Sequence, residues 1–211
     1  MGKIYMVRHG ETQWNTEGRI QGQTNIPLSE VGKNQARLAA DRLATVTFDA
    51  VYSSDLDRTL ETAKIITEST NLKIITNPSL RERFFGIFEG LTIKEREDTY
   101  PELFAQSTKN NVNFAPPEGE SIKETSTRMS AAVQTYKEKH MNDNILIVGH
   151  GGSLRCAISS LLDLPLESSF KFVLSNCGVT IFETYEDNTV LLSYNDTHHL
   201  QGVENLSLIH I

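Results

Sequence analysis

Cysteine is scarce in this chain: Cys156 and Cys177 are the two among 211 residues. That count argues against a disulfide-stapled secreted scaffold. The two thiols sit in apolar surroundings without metal-ligand spacing, so buried side chains in a reducing compartment are expected. Long apolar runs are also missing. None approaches the roughly 20 residues of a membrane span, and the run within residues 1–8 is too short for a signal peptide. The expected location is the cytoplasm. Positive charge is in deficit, with 20 Lys and Arg against 27 Asp and Glu, for a net charge of −7. Nucleic acid and anionic membrane would repel such a surface, and neither is an expected partner. A small anion is still an acceptable substrate, provided that cations are concentrated in one pocket.

What is present is ordinary for a globular protein: 38% apolar and 22% charged residues, with no internal repeat or low-complexity tract. Residues 1–211 read as one domain, long enough to bury a substantial core. Residues 4–7 form a short buried strand that ends at Arg8-His9-Gly10, and Gly18, Gly22, Asn25 and Pro27 punctuate a long polar loop after it. Ser29 reads as the N-cap of a helix running to about Ala44, with Ala36, Ala39, Ala40 and Leu43 on one face. A strand at residues 50–52, a helix at about 56–69 that Ser54 and Asp57 would cap, and a strand at 72–75 follow. Residues 77–119, with Pro78, Gly86, Gly90, Pro101, Pro116 and Pro117 and one short helix at about 92–100, are too long for a simple connection and read as a lid. Residues 120–140 return to helical spacing. Residues 145–148 are the strongest buried strand, and a helix runs from Gly151-Gly152 to about Leu162. Residues 173–185 and 189–194 form an antiparallel hairpin at one side. The alternation predicts a three-layer α/β/α sandwich: a mostly parallel central sheet with right-handed crossovers and one antiparallel edge strand.

In such a sheet, ligands bind beyond the carboxyl ends of the strands. The first predicted strand ends in Arg8 and His9. The second ends in Ser53-Ser54, with Arg58 one turn into the next helix. The strongest ends in His150. Backbone N–H groups at the helix starts add an anion-binding surface. Two arginines and two histidines suit a dianionic phosphate, because a guanidinium fork pairs with two of its oxygens at once. Any one of these residues alone reads as a surface charge or a satisfied structural histidine. Their convergence on strand ends is what points to a site.

The motifs resemble those of the histidine phosphatase superfamily, which includes the cofactor-dependent phosphoglycerate mutases. Arg8-His9-Gly10-Glu11-Thr12 followed by Trp14-Asn15 is similar to its signature. Leu28-Ser29-Glu30-Val31-Gly32, Ser53-Ser54-Asp55-Leu56-Asp57-Arg58-Thr59, Leu80-Arg81-Glu82-Arg83, Gly149-His150-Gly151-Gly152 and Asn195-Asp196-Thr197-His198-His199-Leu200 fall in the family's order. The resemblance implies that His9 is a nucleophile carrying the phosphoryl group, with no metal or other cofactor. Arg8, Arg58 and His150 would clamp the transferring oxygens, and by disfavouring a second positive charge nearby they would keep His9 neutral. Asn15 and the Gly151 N–H would add hydrogen bonds to the phosphate. Glu82 would be the general acid, partly protonated beneath apolar cover from Phe84 and Phe85. From the residues alone, Glu82 pairing with Arg81 or Arg83 is an equal reading. Gln21 and Thr24 either touch substrate or are solvated loop residues. Arg83 is a candidate partner for a substrate carboxylate. His198, His199, Glu204 and His210 match no standard metal spacing and read as surface or substrate-rim groups.

A phosphoric monoester hydrolase is therefore expected, acting on a small phosphorylated metabolite; a homodimer is left open. A phosphoglycerate mutase and a non-catalytic phospho-ligand binder are the alternatives. Mutases of the family use a longer, more basic lid. Here residues 92–117 hold Lys94, Arg96 and Lys109 without an adjacent arginine pair, which favours water as acceptor. Phe84, Phe85, Ile87 and Phe88 suggest an apolar wall suited to a nucleoside-like or aryl phosphate. Phosphoserine, α-ribazole phosphate and sugar phosphates all stay open as substrates.

Overall fold

The structure, a computed structural model, describes residues 1–203. Among them, six strands form one sheet: β1 (Gly2–Arg8), β2 (Ala50–Ser53), β3 (Ile74–Thr76), β4 (Asn144–Gly149), β5 (Val179–Thr184) and β6 (Thr189–Asp196), in the order β3-β2-β4-β1-β5-β6. β1, β2, β3 and β4 are parallel, while β5 runs against both β1 and β6. The antiparallel pairing is thus at one side of the sheet, and the reversed strand lies one place in from the edge.

Alternation along the two central strands builds the layers. Ile4, Met6, Ile145 and Ile147 face α6 (Ile122–Lys139) and α7 (Gly151–Leu161), meeting Met129, Val133, Leu154 and Ile158. Tyr5, Val7, Leu146 and Val148 face α2 (Glu30–Leu43) and α3 (Asp57–Ile66), meeting Ala36, Ala39 and Ala63. A strand covered on both faces must be apolar at consecutive positions, which is why residues 145–148 lack polar alternation. Register then aligns the strand ends: Arg8 pairs with Gly149, and Ser53 with Val148.

Several local expectations are corrected. The polar loop after Gly10 contains a one-turn helix, α1 (Gln13–Thr16), closed by a capping box between Thr12 and Asn15. α3 starts at Asp57 without a side-chain cap from Ser54. Asn25 takes that place, accepting from the Asp57 N–H at 2.9 Å and donating to its carboxylate at 2.7 Å. The 77–119 segment holds α5 (Pro101–Ser107) as well as α4 (Ile93–Thr99). The strand expected from residue 173 begins at Val179, because residues 173–178 turn back toward β1: Arg8 reaches the Leu174 carbonyl, and Asn176 the His9 carbonyl. Both cysteines are free and buried, as expected. No helix among the described residues is long and apolar enough to cross a membrane.

Candidate active site

β1 delivers Arg8 and His9 into the interior, with only 6% and 3% of their surfaces exposed. Two main-chain bonds fix this turn: the His9 N–H donates to Gly149 at 3.0 Å, and the Cys177 N–H to Arg8 at 2.9 Å. Gly10 has no room for a side chain, since a Cβ there would lie 2.4 Å from the Gly32 carbonyl oxygen. The His9 Nδ1 sits 2.7 Å from the Gly10 carbonyl, which can only accept. Nδ1 therefore carries the proton, and Nε2 keeps its lone pair. Burial first, then the Arg58 and Arg8 charges, holds the His9 pKa well below the ordinary histidine value.

Arg58 is completely buried. Its guanidinium donates to the Gly22 carbonyl at 2.6 Å and the Thr24 carbonyl at 2.8 Å, and its Nε to His150 Nδ1 at 3.2 Å. That last bond decides the other histidine: His150 Nδ1 is an acceptor, so its proton is on Nε2, which has no partner among the described residues. Burial and Arg58 depress the His150 pKa, and it acts as a neutral donor rather than as the added positive charge expected from sequence. The two imidazoles lie edge to face, 5.3 Å between centroids. Arg8 Nε is also a buried donor without a partner among the described residues. Burial lowers the Arg8 and Arg58 pKa values to about 10, which still leaves both charged at neutral pH. Two buried cations beside the unpartnered Arg8 Nε and His150 Nε2 donors are chemistry suited to an anion.

Glu82 faces the cluster across a cavity of about 490 Å³, lined also by Asn15, Gln21, Gly151 and Arg155. Its Oε1 accepts from the Arg83 N–H at 2.8 Å and the Ser153 N–H at 2.9 Å, and its Oε2 from the Gly152 N–H at 2.8 Å. The anion held by these N–H groups at the start of α7 is thus the protein's own carboxylate. Glu82 is not in an ion pair with its neighbours: Arg81 pairs with Asp55, and the Arg83 guanidinium binds the Glu120 and Phe114 carbonyls. Phe85 lines the same cavity as Glu82, while Phe84 is turned outward. Phe84 is 37% exposed, and Phe85 packs with Ile20 and Phe88.

The sequence matches the histidine phosphatase superfamily (branch 1) over residues 4–197. The chain belongs to this superfamily. It is 38% identical over 205 residues, 95% of each chain, to a protein of Yersinia pestis (strain Pestoides F) named as a probable phosphoglycerate mutase, GpmB. Among solved structures, Bacillus stearothermophilus YhfR superposes with a TM-score of 0.89 at 32% identity, covering 95% of this chain and 100% of that one. The α-ribazole phosphatase of Shigella flexneri gives 0.87 at 28% identity, covering 92% and 96%. The relatives of this histidine phosphatase thus include both a phosphatase and a protein named as a mutase.

Arg8, His9, Arg58, Glu82, Asn15, Gln21 and Gly151 line one space, and His150 is bonded to Arg58 behind it. Thr24 and Arg83 are not part of its wall. The Thr24 hydroxyl and N–H both donate to Glu89 while its carbonyl holds Arg58, and Arg83 lines a neighbouring cavity. His199 is placed 3.1 Å from the Cys177 carbonyl, and Glu204 and His210 lie outside the described residues. Sequence reasoning missed Asn176, which donates to the His9 carbonyl at 2.8 Å, and Arg128, whose guanidinium bonds the Glu82 carbonyl at 2.8 Å while pairing with Glu120. It also missed Arg155. None of the three sits at a predicted strand end, so position gave no signal for them.

Proposed function

We propose that this histidine phosphatase hydrolyses a phosphomonoester in two steps through a phosphohistidine on His9. The observation that carries the reading is the Nδ1 bond of His9 to the Gly10 carbonyl. It leaves the Nε2 lone pair among buried phosphate-type donors and in one cavity with Glu82. In the first step Nε2 attacks phosphorus and forms the N–P bond. The bond from phosphorus to the ester oxygen breaks, and that oxygen takes a proton from Glu82. We route the proton through Oε2, which carries one hydrogen bond against two on Oε1. In the second step water attacks phosphorus, its proton goes to Glu82, and the N–P bond breaks to release phosphate and neutral His9. Arg8, Arg58 and the His150 Nε2–H stabilise the equatorial oxygens in both steps, a role for preorganised donors. The chemistry needs no metal or organic cofactor. The expected partner is a small phosphorylated metabolite in the cytoplasm.

Water is favoured as acceptor because the basic residues above the cavity are engaged elsewhere. Arg19 pairs with Glu17 and Glu95, Arg96 lies over the Phe88 and Phe104 rings, and Lys94 pairs with Asp98. A mutase has to clamp a second anionic group. One observation keeps that reading in play beside the name of the Yersinia relative: Arg155 lines the cavity without an ion pair among the described residues. The test is incubation with labelled p-nitrophenyl phosphate in EDTA. An acid-labile, base-stable phosphoenzyme in the wild type and none in His9→Ala is expected. A chelator-abolished activity, or a phosphoenzyme in His9→Ala, would sink the proposal. Conversion of 3-phosphoglycerate faster than its hydrolysis would promote the mutase.

A further inference from the structure

Beside the phosphate cavity lies a second one of about 320 Å³, and the two share Phe85, Ile93, Arg96, Gly152, Arg155 and Phe170 in their walls. The rest of its lining is dominated by Phe88, Phe104, Phe114 and Ile122. Arg155 stands in the shared wall, with a 3.5 Å bond to the Phe172 carbonyl, and several polar groups deeper in are turned away or satisfied. The Arg96 guanidinium lies over Phe88 and Phe104, at 5.9 and 5.7 Å, and that of Arg83 over Phe85 at 5.0 Å. The Ser107 and Thr125 hydroxyls donate to the Phe104 and Ser121 carbonyls. Ser169 differs: its residue is 3% exposed, and its Oγ has no partner among the described residues. Protein interiors leave few voids larger than a water molecule. Small-molecule pockets, by contrast, are apolar spaces of roughly 300–1,000 Å³ with a few convergent polar atoms. An engineered apolar cavity of about 150 Å³ already takes benzene.

We infer that this chamber is the leaving-group subsite, and that the substrate is a phosphomonoester whose alcohol carries a ring-sized apolar body. A single polar atom on that body meets Ser169 Oγ. The inference rests on the phosphatase reading above and names the substrate class for the same site. It disfavours a charged group at the Phe104 and Phe114 end of the chamber, where a carboxylate would lose its water without gaining a partner.

Propyl phosphate and 3-phenylpropyl phosphate separate the two ideas. Their leaving alcohols are nearly equal in basicity, so a difference in kcat/KM reports the ring. The ring is expected to raise kcat/KM by at least about tenfold, the low end for burying an aromatic group. Phe104→Asp should bring the ratio of the two esters close to one, while Phe104→Leu retains most of it. Because the readout is a ratio on one enzyme, a general loss of activity cancels. If Phe104→Asp hydrolyses neither ester, Phe104→Ala is read in its place, with the same collapse expected. A wild-type ratio near one, or a ratio that survives loss of the Phe104 ring, overturns the chamber's role and leaves the phosphatase reading intact. Hydrolysis of neither ester by the wild type, with no phosphohistidine, overturns both.

Discussion

The floor of the site and its upper wall are built by opposite means. The floor consists of residues at or just after the ends of β1, β2 and β4: Arg8, His9, Arg58 and His150 are at most 6% exposed, and strand register and main-chain hydrogen bonds place them. The wall comes from the 77–119 segment, where α4 and α5 contain one buried residue between them, Arg96. There Arg83 meets carbonyls, Lys94 a carboxylate and Arg96 ring faces, and the cavity beside them is lined mainly by apolar side chains. Groups that must meet a transition state need a rigid frame, because a misplacement of about 1 Å can cost a hundredfold in rate. Groups that only select a leaving group tolerate a looser one. Most of the proposed chemistry therefore lies in the floor and the selection in the wall, with Glu82 the group that the 77–119 segment delivers to the floor.

The largest expected effects fall on the floor and on Glu82, which the 77–119 segment brings to it. His9→Ala should lower hydrolysis of every ester by more than about 10⁴-fold, as loss of a nucleophile does. Propyl and 3-phenylpropyl phosphate should suffer alike, since the wall is untouched; a strongly ester-dependent loss would break the division. Glu82→Gln comes next, at about 10²–10⁴-fold. The amide keeps one acceptor, turns an NH₂ group toward the donor on the other side, and cannot give or take the proton. The loss should shrink with p-nitrophenyl phosphate, whose leaving group needs no protonation. Equal losses on alkyl and nitrophenyl esters would remove Glu82 from the first step.

The floor should also be where stability depends on pH. His9 and His150 are buried neutral, with pKa values depressed below the ordinary 6.5. The unfolded chain binds protons there that the folded one does not, so stability is fully present above pH 6.5 and is lost as pH falls below it. Each histidine contributes a slope of up to about 1.4 kcal/mol per pH unit, or tenfold in the unfolding equilibrium. Urea melts between pH 6.5 and 5 should give a wild-type slope steeper than that of His9→Ala by about this amount. Parallel slopes would mean that the His9 imidazole gains its proton in the folded state.

Legibility from sequence followed the same division. Arg8, His9 and His150 stand where apolar runs stop, and an apolar run covered on both faces fixes its own end. Arg58 needed only one helical turn more. The wall was harder to read. Pro101 looks like a helix breaker but occupies the first turn of α5, where its missing N–H costs nothing. The apolar run near residue 84 predicted a cover for Glu82, yet Phe84 is turned outward and Phe85, in the same cavity, packs with Ile20 and Phe88. Glu82 itself was ambiguous between proton transfer and pairing with Arg81 or Arg83, and the pairing is decided from outside the segment, where Arg81 meets Asp55 and Arg83 meets the Glu120 carbonyl. The occupant of the α7 N-terminus was not legible for a similar reason. Its N–H groups were legible as an anion site, but which anion they hold depends on where residue 82 arrives.

Glu89 joins the two regions, and its effect should be the smallest of these. Its Oε1 accepts from the Gln23 and Phe85 N–H groups at 2.8 and 3.1 Å, and its Oε2 from the Thr24 N–H and hydroxyl at 2.9 and 2.6 Å. Gly22 is required beneath it: its φ is +52°, and a Cβ there would lie 1.8 Å from the Glu89 carboxylate. The loop that Glu89 holds carries the Gly22 and Thr24 carbonyls that fix Arg58, while Phe85 belongs to the wall. Glu89→Gln preserves shape but turns an NH₂ group toward two donors, so one side of the joint must open. If the side facing Thr24 opens, phosphate inhibition weakens by about tenfold through Arg58, while the preference for the phenyl ester holds. If the side facing Phe85 opens, the preference falls and phosphate affinity holds. An unchanged enzyme on both measures would show that floor and wall are set independently of Glu89, and the two-layer division would then lack its joint.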